Sequence, residues 1–183
     1  MTTPSSPAIG SDRAALAERR PVAGSTASRV RRAILWGGSI AGVLDISYVL
    51  IIFPLWRGSS PIRILQGIAG GVLGPANAVN GGLATAAIGL LCHFVIATGA
   101  ATTYALAATR LPLLTRRPIL SGSIFGVCVY IVMNFVVVPL SRIGGRGPSL
   151  SWPAAVVFLA HIICVGIPIA LCTKRAWTTS NER

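Results

Sequence analysis

Apolar and polar positions along this chain fall into long blocks. Four apolar runs, at about residues 33–53, 83–108, 119–140 and 153–173, each approach or exceed the roughly 20 residues that an α-helix needs to cross ~30 Å of hydrocarbon. The pattern predicts an all-α fold, a polytopic transmembrane bundle of four helices occupying residues 33–175. Residues 1–32 are rich in Ser, Thr, Ala, Pro and Arg and lack a sustained apolar period, which reads as a disordered basic tail. Residues 176–183 form a second, shorter tail. Pro118 and Pro153 stand at helix starts, where the missing N–H is harmless. Pro168 lies inside the fourth run and predicts a kink or local break.

Between the first two runs, the stretch from Pro61 to Gly74 is apolar but too short to cross, so it is expected to be an interfacial or re-entrant piece on the outer side. Its glycines do not make a nucleotide loop, since no strand precedes them and no Gly-Lys-Ser/Thr follows.

Charge then orients the bundle. The N-terminal tail holds six Lys and Arg, the link at Arg110, Arg116 and Arg117 three, and the C-terminal tail three, whereas the two intervening loops hold two each. The positive-inside rule therefore places both termini and the middle link of this multi-pass protein in the cytoplasm. Trp36, Trp56, Trp152 and Trp177 all lie near run ends, where indole favours the headgroup region. A net charge of +12 would suit nucleic acid, but the basic residues bracket the apolar runs and form no stripe, so the lipid bilayer is the expected partner. A mean hydropathy of +0.73 with 11% charged residues agrees. Cys92, Cys128, Cys164 and Cys172 sit within apolar runs without close pairing, and read as small hydrophobes, with no disulfide framework or zinc site.

An internal repeat is suggested by Gly38-Ser39-Ile40-Ala41-Gly42-Val43 in the first run and Gly122-Ser123-Ile124-Phe125-Gly126-Val127 in the third, followed by Pro54-Leu55 and Pro139-Leu140 at nearly equal distances. The second and fourth runs each carry one His. Two helical hairpins of the same orientation would produce this pattern. Each repeated segment contains a Gly-x-x-x-Gly, whose missing side chains let backbones approach. Helix packing is therefore assigned to Gly38, Gly42, Gly122 and Gly126, with the first and third helices expected to meet there, within one chain or between two copies.

Asp45 is the only acidic residue outside the tails. An ionised Asp at a helix centre costs about 2.5–3.5 kcal/mol on insertion scales, so it needs a partner, a proton or water. Counted at ~1.5 Å per residue, Asp45, His93 and His161 lie roughly 12–15 Å below the outer helix ends and Asn134 roughly 7–9 Å. Tyr48 and Tyr130 extend this intramembrane polar layer, three residues from Asp45 and four from Asn134 respectively. The layer suits a proton relay, an ion path or a ligand pocket; it equally suits a hydrogen-bond network that fixes helix register.

Two histidines at matching depth are also compatible with bis-His haem ligation in a redox protein. An Asp-His-His metal site lacks any supporting ligand spacing. No nucleophile elbow, His-Glu-x-x-His pair or paired carboxylates occur, so no catalytic residues are assigned. Small-solute or proton transport, haem binding, and a structural or partner-binding membrane subunit remain the three functional readings.

Arg63-Ile64-Leu65-Gln66, the stretch from Tyr130 to Ser141 and that from His161 to Pro168 resemble a family of small, uncharacterised bacterial inner-membrane proteins with four predicted spans. The resemblance covers about residues 34–175 and implies a bacterial membrane protein. It brings no assigned reaction and no site roles.

Overall fold

A computed structural model describes residues 25–145 and 152–179. Its elements are α1 (Thr26–Arg57), α2 (Pro61–Leu73), α3 (Pro75–Asn80), α4 (Gly82–Arg110), α5 (Leu113–Arg116), α6 (Pro118–Leu140) and a final helix α7, which passes through Trp152–Ala160, a widened His161–Gly166 segment and Ile167–Thr178. Among the described residues there is no strand. Helices α1, α4, α6 and α7 are each long and apolar enough to cross a membrane.

Helix α1 starts earlier than its apolar run, at Thr26, because Ser25 caps it: the Ser25 hydroxyl accepts from the Ser28 N–H at 3.3 Å, and the intervening residues form helix readily. Seven residues assigned to the tail thus belong to α1. At its other end Gly58 takes a left-handed conformation, φ 63°, and its N–H closes on the Pro54 carbonyl. Helix α7 likewise continues to Thr178. The expected tails at 1–24 and 180–183 lie outside the described residues.

Packing follows the size of the side chains. Of the seventeen buried hydrophobic residues among those described, twelve are Ala, while Leu35, Leu55, Leu83, Leu91, Ile119 and Ile163 are among the large ones left exposed. A water-soluble core does the opposite. Small residues at helix seams with bulky apolar side chains outside are what a lipid environment requires, since there association depends on close backbone approach.

Helix α1 packs against α4 on one side and the C-terminal half of α7 on another; α6 packs against α7, and α2 against α4. The two Gly-x-x-x-Gly faces therefore do not meet each other. A Cβ on Gly38 would contact Thr98, and one on Gly42 would contact Phe94 and Ala97, all on α4. On α6, Gly122 faces Gly166, Ile167 and Ala170, and Gly126 faces His161 and Ile162, all on α7. The expected pairing of the first and third spans is corrected: each motif serves its own hairpin, α1 to α4 and α6 to α7. The physical reason is that α7 presents bare backbone and Ala170 opposite Gly122 and Gly126, and α4 presents Thr98, Ala97 and the flat Phe94 ring opposite Gly38 and Gly42, so each glycine face is filled within its own hairpin.

The short apolar stretch is the helix α2, which leans on α4 so closely that Gly89 faces the Leu65 carbonyl. The Gln66 amide, 4% exposed, donates to the carbonyls of Val79 and Gly82 and ties α2 to the start of α4. Arg142 N–H donates to the Gly71 carbonyl at 2.9 Å, so α2 also holds the far end of α6.

At the opposite end Ala33, Ala105 and Ala176 form a small cluster with Trp177 against it, bringing together the start of α1 and the ends of α4 and α7. Tyr104, 1% exposed, hydrogen-bonds the Leu114 carbonyl at 3.0 Å and the Ser121 hydroxyl at 2.8 Å, fastening α5 and α6 to α4. Replacing Tyr104 by Phe should lower stability by about 1–2 kcal/mol, because the Leu114 carbonyl loses a donor while Ser121 keeps the Arg117 carbonyl. Thermal unfolding in detergent reads this directly; an unchanged midpoint would mean that the link is held by other contacts. Arg29, Arg31, Arg32, Arg110, Arg116, Arg117, Lys174 and Arg175 all belong to this end, against Arg57, Arg63 and Arg142 at the other.

Candidate functional site

All four long helices contribute to one internal cavity of about 70 Å3. Ala41 and Asp45 come from α1, His93 and Ala97 from α4, Val129 and Met133 from α6, and His161 and Val165 from α7. By volume the space suits a few water molecules or a small ion. Asp45 is half-buried and, within the described residues, makes no hydrogen bond and no ion pair.

Both imidazoles are anchored by one ring nitrogen. His93 Nε2 lies 2.9 Å from the Gly42 carbonyl of α1, and His161 Nδ1 lies 2.9 Å from the Val157 carbonyl one turn back in α7. A carbonyl only accepts, so these nitrogens carry the protons, and in a neutral ring the second nitrogen of each keeps its lone pair. Each histidine thus has a fixed ring and one nitrogen able to take up a proton. Tyr130 and Phe94 steady the rings edge-on: the Tyr130–His161 centroids are 5.5 Å apart and the His93–Phe94 centroids 5.6 Å.

The sites on α6 and α7 share a local cause. Met133–Val137 and His161–Gly166 are π-helical, and each widened segment ends just before a proline-bearing turn. Val138 N–H donates to the Met133 carbonyl and Ile167 N–H to the Ile162 carbonyl, five residues back. Pro139 and Pro168 have no N–H and would crowd the carbonyls of Phe135 and Cys164; widening the helix relieves this. The break expected at Pro168 takes this form. Met133 and His161, each the first residue of its π segment, both line the cavity.

The remaining members of the sequence-read layer do not line the cavity. Asn134 turns back along α6 and donates to the Tyr130 carbonyl at 2.9 Å. Tyr130 is 9% exposed and packs between Phe158 and His161. The Tyr48 hydroxyl, one turn from Asp45 on α1, is enclosed and has no hydrogen-bond partner among the described residues. Sequence reasoning had no means of finding Met133 as a cavity residue. Nor did it single out Gln66, Tyr104 or Ser121, whose partners are backbone carbonyls on other helices.

Repeat and asymmetry together shape the surroundings. In the first hairpin Gly42 meets the His-bearing stretch of α4; in the second Gly126 meets His161 itself. The seam between α1 and α7 is closed, with Gly37 against Ala101, Ile169 and Cys172. Its counterpart between α4 and α6 is joined at the basic end by Tyr104 and Phe125 and parts beyond them into an apolar groove of about 320 Å3. Ile96, Ala100, Val129 and Met133 line both groove and cavity.

A porphyrin does not fit here, since sites for molecules of that size run to ~300–1,000 Å3 and the cavity between the histidines has about 70 Å3. Among the described residues, no three of His, Cys, Asp and Glu are grouped closely enough to hold a metal ion. No family model, curated protein or solved structure matches the chain.

Proposed function

We propose that this chain is a multi-pass protein of a bacterial cytoplasmic membrane that moves a small solute in step with a proton carried by Asp45. The observation behind this reading is a single cavity lined by all four long helices, whose only carboxyl has no hydrogen-bond or ion-pair partner among the described residues. A partnerless acid in a membrane span is expensive, and such residues mark proton and ion pathways. The walls favour a solute class: a carboxyl beside two imidazoles, with an apolar groove that shares four of the cavity's wall residues, suits a small lipophilic amine that competes with the proton for Asp45. Proteoliposomes carrying a pH-sensitive dye test it. Addition of small lipophilic amines should release protons in a protein-dependent manner, and a panel without any response would defeat the transport reading.

A second reading has one observation in its favour. Both histidines and Asn134 spend a polar group on a backbone carbonyl, as a network that fixes helix register would. That reading assigns Asp45 no proton exchange, so the two separate at that residue.

The proposed orientation rests on eight basic residues at one end of the bundle against three at the other, among the described residues. Single cysteines introduced at Arg116 and at Thr179 in a cysteine-free background should be labelled only from the cytoplasmic side. Labelling of either from outside intact cells would reverse the assignment.

A further inference from the structure

At the basic end, α1 and α7 enclose a groove of about 490 Å3 that is distinct from the internal cavity. Its walls grade from charged to apolar with depth. Arg32, Trp36 and Ile40 follow one face of α1 at helical spacing, and Thr179, Arg175 and Cys172 descend α7 in the opposite direction. The packing of Ala33 against Ala176 sets Arg32 and Arg175 at one level, and the contact of Gly37 with Cys172 sets Trp36 just below them. Among the described residues the only carboxyl is Asp45, thirteen residues further along α1 and thus ~20 Å from Arg32. Neither guanidinium has a carboxylate partner there.

We infer that this groove binds an anionic phospholipid, with the phosphate between Arg32 and Arg175, the indole of Trp36 at the glycerol level and an acyl chain along Ile40 and Cys172. Two guanidiniums at one height can share a phosphate by charge-assisted hydrogen bonds, a geometry that lysine matches poorly. Basic recesses between helices on the cytoplasmic side hold anionic headgroups in this way, and Trp at that depth is the usual interfacial anchor. The grading of the walls matches the amphiphile from head to tail, whereas a protein partner would not call for it. The inference requires a bilayer but not the proton chemistry of Asp45.

The test uses the full chain in phosphatidylcholine vesicles in which a fraction of the lipid is replaced by phosphatidylglycerol with brominated acyl chains, or by brominated phosphatidylcholine. Bromine quenches nearby indoles, and Trp36→Phe isolates the contribution of Trp36. Brominated phosphatidylglycerol should quench Trp36 preferentially, and Arg32→Gln with Arg175→Gln should lower its relative binding constant roughly tenfold or more. Arg116→Gln with Arg117→Gln, which removes equal charge from the same end outside the groove, should leave the preference in place. Arg32→Lys with Arg175→Lys should retain a reduced preference and guards against misfolding of the neutral variant. Equal losses from the two Gln pairs would assign the effect to the basic end as a whole and overturn the site. Failure of either brominated lipid to quench Trp36 would show the groove covered by another chain, and would overturn it too.

Discussion

Gly126→Ala and Gly166→Ala are expected to be, with Gly89→Ala at the α2–α4 contact, the most damaging of the glycine-to-alanine substitutions, each costing about 1–3 kcal/mol, with Gly126→Leu preventing assembly of α6 on α7. A Cβ on Gly126 would stand 2.6 Å from both the His161 carbonyl oxygen and the Ile162 Cα, and one on Gly166 would meet the Gly122 carbonyl and, at 2.6 Å, the Gly126 nitrogen. These neighbours are backbone and cannot rotate away. Separation of the two helices is the remaining escape, and it would also open the cavity beside His161. Gly42→Ala should be milder, because the atoms it meets at 2.7–2.8 Å belong to the Phe94 ring, which can turn. Gly99 has nothing within 4 Å, and Gly99→Ala should raise stability by up to ~1 kcal/mol through helix propensity. Unfolding midpoints of these variants in one detergent give the order. A Gly126→Ala variant as stable as Gly99→Ala would contradict the α6–α7 contact.

On the transport reading proposed above, Asp45→Asn should have the largest effect on flux with little effect on folding. Asn has nearly the same shape and can fill the same corner of the cavity, but it cannot release a proton or carry the charge that binds an amine. Proton-coupled flux in proteoliposomes should fall about 100-fold or more, the scale on which loss of a proton-transfer group acts. Stability should hold or rise slightly, since a partnerless ionisable group leaves the membrane span. His93→Gln should be less severe for flux and worse for packing, because its ring bonds the Gly42 carbonyl across the α1–α4 seam. Wild-type flux in Asp45→Asn would remove the carboxyl from the mechanism.

Much of the fold could be read from the chain because one physical rule dominates it: every run long enough to cross hydrocarbon becomes a helix, and α1, α4, α6 and α7 lie where the apolar runs predict. Helix ends were less legible. Ser25 extends α1 by a side-chain cap that hydropathy does not register. Helix partners were less legible still, since Gly42 and Gly126 show that a backbone can approach but not which one. The gathering of Asp45, His93 and His161 follows from depth, which a count of residues provides. Asn134 was placed by the same count and turns away, because a π segment begins beside it and its amide finds the Tyr130 carbonyl first. Depth fixes one coordinate, and rotation about the helix axis, altered by the widened turns, fixes the other.

The most direct test of the proton reading is infrared spectroscopy of the protein in lipid bilayers, comparing wild type with Asp45→Asn and transferring each from H2O to D2O. A carboxyl that exchanges protons through a water-accessible cavity should give a protonated-acid band that is absent from Asp45→Asn, vanishes reversibly as the pH is raised, and shifts promptly on deuteration. A band that is insensitive to both pH and D2O, or no difference between the two proteins at any pH, would show that Asp45 exchanges no proton and that the layer serves only to hold the helices in register.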